Sequence, residues 1–291
     1  MAARIKLIVT GDMERSALHK SLQRIFPSER HGQPVVWDVP HLKVGGSPTN
    51  NQLKSGHRPN GAMRKLARIM LSEATMGIKG VPADLIVVVD DVELGNIGRE
   101  HIVAEHFCTA VRELLGQYNG AELVRHQAIL REKCSFHLLK PMPEAYFFGD
   151  PDTLIALVSP GANPKLVHPS DVEKFETNEP AYLPACRNEN SKKQLENKPW
   201  WRQECHPKDY IIHLAERNRK TYDEIIHGKQ ALLNIDWKKV PKYQTDTLII
   251  RSLFADIADW FGIQNPICGD TDPAFYPAYG ANHANLLLRN L

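Results

Sequence analysis

The chain has 291 residues, 42% of them hydrophobic and 24% charged, which suits a globular protein of one large domain or two modest ones. No apolar run approaches the about 18 residues a membrane-spanning helix needs. The net charge of +2 hides an asymmetry: residues 1–80 carry 13 Lys and Arg against 5 Asp and Glu, the remainder 23 against 29, which points to a basic surface near the N-terminal unit and to phosphate-bearing partners.

A short run of strand formers, residues 4–10, opens the chain and breaks at Gly11-Asp12. Met13, Ala17, Leu18, Leu22, Ile25 and Phe26 then recur at helical spacing, so a helix is expected over 13–26. Gly11 permits the tight bend, Asp12 is placed to cap the helix, and Glu14 falls in its first turn near the positive end of the macrodipole. A strand over 34–39 is followed by a polar loop over 40–61, punctuated by Gly, Pro and Asn; a loop this long within a domain is functional or mobile. Helices are expected over 62–76 and roughly 98–116.

Between them, residues 84–93 are the most informative stretch. An apolar, β-branched run ends in Asp90, Asp91 and Glu93. It reads as a strand buried on both faces, central in a parallel sheet, and ligands collect at the carboxyl ends of such strands. Three neighbouring anions repel unless a cation or a cluster of donors neutralises them, and a hard divalent metal is the economical answer. The plainer alternative is a helix cap beside two solvated acids.

Residues 121–124 and 134–139 read as later strands, and short helices begin near Pro143 and Asp150. Cys134-x-x-His137 has the look of half a metal site but lies in a strand-like, core segment. Residues 159–207 are the least regular part, an insertion anchored by Trp200-Trp201, which read as buried more readily than as a base-stacking pair. From about 208 the chain reads as helical. Thr or Asp at 245–247 is expected to cap a helix carrying Ile249, Leu253, Ile257, Trp260 and Phe261 on one face, ended by Gly262. The tail from 263 shows little periodicity. Five widely spaced cysteines without a Cys-x-x-Cys pair fit free thiols in a reducing cytoplasm, and the N-terminus lacks a signal-peptide layout.

Several chemistries are excluded by pattern. Gly11 alone does not make Gly-x-Gly-x-x-Gly, and neither a P-loop nor a Gly-x-Ser-x-Gly elbow is present. An aspartyl-phosphate phosphatase would want Asp-x-Asp on the first strand. His41 and His57 lie in the polar loop and His206 precedes a proline; none is assigned a catalytic role.

What remains, Gly11 and Glu14 after the first strand with acids after a central one, resembles the Toprim fold of topoisomerases, primases and the nucleases related to overcoming-lysogenization-defect proteins. More locally, the chain is similar to an uncharacterised bacterial Toprim-like family often encoded beside an ATPase. Residues 9–14, the strand ending at Asp90, residues 143–151, His206-Pro207-Lys208 and Tyr222…Gly228 carry that similarity. Two positions depart from the pattern: Thr10 stands where an acid would precede the Gly, and a strict Asp-x-Asp becomes Asp90-x-Val92 or Asp91-x-Glu93.

The resemblance implies an α/β fold with a Toprim-like, mostly parallel sheet flanked by helices over residues 1–150. A helical C-terminal region over 151–291 follows, with the irregular insertion at about 159–207. It also implies a Mg²⁺- or Mn²⁺-dependent nuclease of DNA or RNA, an effector of anti-phage defence working with an ATPase partner. Glu14, Asp90, Asp91 and Glu93 would be catalytic and, with Glu144, would bind metal. Lys43, Arg58, Arg64, Lys65 and Arg68 would contact nucleic acid. A homo-oligomer is compatible with these features. The rival expectation is a catalytically degenerate subunit that keeps the fold as a scaffold or sensor.

Overall fold

A computed structural model describes residues 2–40, 46–77, 80–276 and 286–291. The fold is mixed α/β, a central sheet flanked by helices with a helical C-terminal region. Strands β1 (Ala3–Val9), β2 (Glu29–Arg30), β3 (Gln33–Asp38), β4 (Leu85–Asp91) and β5 (Cys134–Leu139) are ordered β2-β3-β1-β4-β5. All neighbours are parallel except the short β2–β3 pair.

The pleat divides the side chains between two cores. Ile5, Leu7 and Val9 of β1 and Leu85, Val87 and Val89 of β4 face one layer; Ile8, Ile86, Val88, Phe136 and Leu138 face the other. The first layer is built by α1 (Asp12–Gln23) together with the C-terminal helices α8 (Pro207–Arg217), α9 (Lys229–Asn234) and α10 (Leu248–Phe261). The second holds α2 (Gly61–Thr75), α3 (Glu100–Leu115) and α4 (Gly120–Lys133). Burial on both faces is why β4 reads as an unbroken apolar run. The C-terminal half is part of the main core: α1 packs on α9, and α10 lies against β5.

Four expectations need correction. Residues 121–124 are not a strand but the first turn of α4, because Leu123, His126 and Leu130 continue a helical spacing that four residues could not reveal. The segment 159–207 contains a helix, α7 (Leu183–Leu195), which buries only Cys186. A helix with one buried position lacks the apolar stripe that betrays helices in sequence; Lys193 paired with Glu189 and Glu196 supports it instead. Asp12 lies inside the first turn of α1, with Gly11 as the cap residue.

The start of α10 is held from outside its own sequence. Thr247 makes no side-chain cap. The buried Glu173 carboxylate accepts from Ile249 N at 3.0 Å and Ile250 N at 2.7 Å, and Asp171 accepts from Thr247 N at 3.1 Å.

Two further contacts shape the rim of the sheet. Buried Asn96 pins the long loop, accepting from Leu53 N at 2.8 Å and donating to Thr49 O at 2.9 Å. At the far edge, Asn290 pairs with β5 as a strand would, accepting from Phe136 N at 3.1 Å and donating to Phe136 O at 2.7 Å. The edge is thereby covered. Two short helices, α5 (Glu144–Phe147) and α6 (Pro151–Leu157), follow β5, the second capped by Asp150.

The reading of Cys134 and His137 as core holds: both are buried, and His137 Nε2 lies 3.2 Å from Asp256. All five cysteines are free. No described helix is long and apolar enough to cross a membrane.

Candidate active site

Parallel pairing brings the carboxyl ends of β1, β4 and β5 to one rim. Val9 pairs with Val89 and Asp91 with Leu139, so the turns after the three strands meet there. Each contributes acid: Glu14 from α1, Asp90, Asp91 and Glu93 from β4 and its exit, and Glu144 from α5. Glu14, Asp91, Glu93 and Glu144 line one cavity of about 320 Å³.

Local sequence explains the seating of each. The Glu14 carboxylate folds back onto Gly11, where a Cβ would stand 2.3 Å from Oε1, so a larger residue there would push that carboxylate aside. Thr10 occupies the place where the resemblance leads one to expect an acid, and its hydroxyl donates to Asp90 Oδ1 at 2.6 Å in the buried interior. Glu93 sits at φ 60°, ψ 159° as its amide donates to Pro141 O at 2.8 Å. That backbone region is essentially glycine-only and costs about 1–3 kcal/mol, strain of a kind that clusters at functional sites.

Burial and mutual repulsion discourage ionisation throughout. Glu14 is pushed up to about 8, first by burial, then by Glu144, Glu224 and Asp90. Burial lifts Asp90 to about 7 against the opposing Thr10 hydrogen bond. Asp91 lies well above its ordinary value through burial, Glu14 and Glu93. Glu93 is raised by burial, with Lys208 opposing, and Glu144 reaches about 7 for the same reasons.

The C-terminal region closes the cavity. His206, Lys208 and Asp209 at the start of α8, and Glu224 on a π-helical turn (Glu224–Gly228), complete its wall. Lys208 is ion-paired with Glu224, and Tyr222 donates to Glu144 Oε1 at 3.3 Å. His206 caps α8 by accepting from Asp209 N through Nδ1 at 3.2 Å, and burial pulls its pKa down. With Nδ1 accepting, the ring proton belongs on Nε2. Sequence reasoning assigned no role to Lys208 or Glu224. The only signal was that 206–208 and 222–228 belong to the segments carrying the family resemblance.

Arg58, Arg64, Lys65 and Arg68 do not join the cavity wall. Lys43, like His41, lies outside the described residues. Arg58, Arg64, Lys65 and Arg68 are exposed, and Arg64 pairs with Glu113 at 2.9 Å.

The donor chemistry fits a hard divalent cation. Every acid supplies oxygen, and Asp90 Oδ2 and Asp91 Oδ1 are buried without a hydrogen-bond partner among the described residues. Among the described residues no three His, Cys, Asp or Glu side chains are already gathered as a metal-holding set, so ligation would require side chains to move. Comparison with protein-family models, curated proteins and solved structures returns no match.

Proposed function

We propose that this chain is a Toprim-like nuclease, hydrolysing phosphodiester bonds of DNA or RNA with Mg²⁺ or Mn²⁺. The observation that carries the reading is the partnerless buried oxygen of Asp91 on one cavity wall with the Glu14, Glu93 and Glu144 carboxyls, at the rim of a parallel sheet; Asp90, with a second such oxygen, is the neighbouring residue but does not line that cavity. Carboxylates do not crowd into a buried site without some compensating charge or proton.

Asp90, Asp91, Glu93, Glu14 and Glu144 would hold the cation, which when bound supplies polarisation of the phosphodiester and an activated water. Thr10 keeps Asp90 in one orientation, leaving Oδ2 for ligation. Lys208 balances part of the acidic charge through Glu224. Lys43, Arg58, Arg64, Lys65 and Arg68 would neutralise the nucleic-acid backbone, so affinity should fall steeply with salt. The ATPase partner, the role in anti-phage defence and a cytoplasmic location rest on the family resemblance alone.

A second reading, a degenerate Toprim-like scaffold or sensor, draws on Thr10 in place of an acid and on the ungathered ligand set. The two separate in one experiment: plasmid DNA and RNA incubated with the protein in Mg²⁺ or Mn²⁺, with and without a candidate ATPase. Cation-dependent cleavage that disappears in Asp90→Ala and Asp91→Asn supports the nuclease. Tight association with nucleic acid or ATPase and no cleavage in any arm supports the scaffold.

A further inference from the structure

We infer that the acidic cavity takes a single unpaired nucleotide, whose base stacks on the His206 ring, so that the substrate is a single strand or a frayed end rather than intact duplex. This rests on the nuclease reading and narrows its substrate.

The acids are recessed. Of the acids on the cavity wall, Glu14 and Glu144 are each 3% exposed and Asp91 and Glu93 are half-buried, so a phosphodiester must enter the cavity to meet all four. The wall around the acids draws on several elements. Met13 comes from α1, Ser47 from the long loop, Met142 and Pro143 from the turn after β5, and His206 from α8. At about 320 Å³, the space is at the low end for small-ligand sites, which run about 300–1,000 Å³. A duplex carries its phosphates on the outside of a rod stiff over about 150 base pairs and cannot bend one linkage into such a recess. A single strand can, with its base splayed out.

The wall offers that base a surface. The His206 side chain is 13% exposed, and its ring lies 5.6 Å from the Trp201 ring, which in turn neighbours Trp200 at 5.9 Å. The tryptophans are not themselves on the cavity wall; they back the histidine that is. Histidine and other aromatic faces stack unpaired bases with little regard to sequence, and Met13, Met142 and Pro143 add apolar contact for base or sugar.

The test uses the full-length protein with Ca²⁺ replacing Mg²⁺ to keep strands intact, measuring fluorescence anisotropy of labelled oligothymidylate, oligouridylate and a length-matched duplex. The single strands should bind about tenfold or more tighter than the duplex. His206 also caps α8, so two variants divide its roles. His206→Asn keeps a capping acceptor and removes the ring; single-strand affinity should fall about tenfold, as loss of one base–aromatic stack predicts. His206→Phe keeps a ring and loses the cap; it should bind near the parent level at a lower melting temperature. A preference for oligothymidylate or for oligouridylate identifies the strand as DNA or RNA, and either supports the inference. Equal binding of duplex and single strand, or undiminished binding by His206→Asn, overturns it. In Mg²⁺, duplex cut as fast as single strand overturns this inference and leaves the nuclease reading standing. Ring-dependent single-strand binding with no cleavage of any polymer does the reverse.

Discussion

Glu14→Gln is the most direct probe of how the acids are held. The Glu14 carboxyl is buried against Gly11 and raised from 4.5 to about 8 by burial, Glu144, Glu224 and Asp90. Because the folded-state value lies above the unfolded one, the unfolded chain loses its proton first as pH rises. Glu14 therefore favours the native state fully below about 4.5, and that contribution drains away as pH climbs through about 8. At about 1.4 kcal/mol per pH unit, the shift amounts to a burden of order 4 kcal/mol at pH 8.5. Glutamine keeps the shape and removes the charge, at a cost of about 1–2 kcal/mol for burying an amide. The variant should thus be more stable than the parent by about 2–3 kcal/mol at pH 8.5, and no more stable near pH 4. Urea unfolding followed by circular dichroism in EDTA at both pH values measures this. A Glu14→Gln protein less stable than the parent at pH 8.5, or with an equal advantage at both, would refute the account of crowded, reluctant anions. Adding Mg²⁺ at pH 8.5 should stabilise the parent protein and stabilise the variant less.

Other substitutions test separate parts of the site and fold. Gly11→Ala places a methyl where the Glu14 carboxylate rests, and that flexible end must swing aside; urea unfolding should show a cost of about 1 kcal/mol or less, with cleavage reduced. Glu93→Gly relieves backbone strain, so it should match or exceed the stability of the parent, whereas Glu93→Ala keeps the strain and should be the less stable of the two by about 1 kcal/mol or more. Cleavage should drop in both. Asn290→Ala strips partners from Phe136 N, Phe136 O and Phe275 O, and should lower stability by about 2–4 kcal/mol and speed amide exchange along β5 without changing Mg²⁺ affinity.

What the linear chain determined was the alternation of strands and helices and the places where acids leave the sheet. β4 is visible as an apolar run because both its faces are buried, and α1 because Met13, Ala17, Leu18 and Leu22 follow helical spacing. Glu14, Asp90, Asp91 and Glu93 stood out because charges following an apolar strand must emerge at its end. Elements without an apolar stripe stayed hidden: α7 buries one residue, and α4 begins with four residues that suit a strand equally well.

Only the tertiary structure decided which distant groups meet. Glu173 caps α10 from more than seventy positions away in sequence, Asn290 covers the β5 edge, and Lys208 with Glu224 closes the acid cavity from α8 and the π-helical turn. It also decided that Thr10 holds Asp90 and that Glu93 adopts a glycine-only backbone. Such contacts depend on strand order and layer packing, which bring together residues whose spacing along the chain carries no periodic trace.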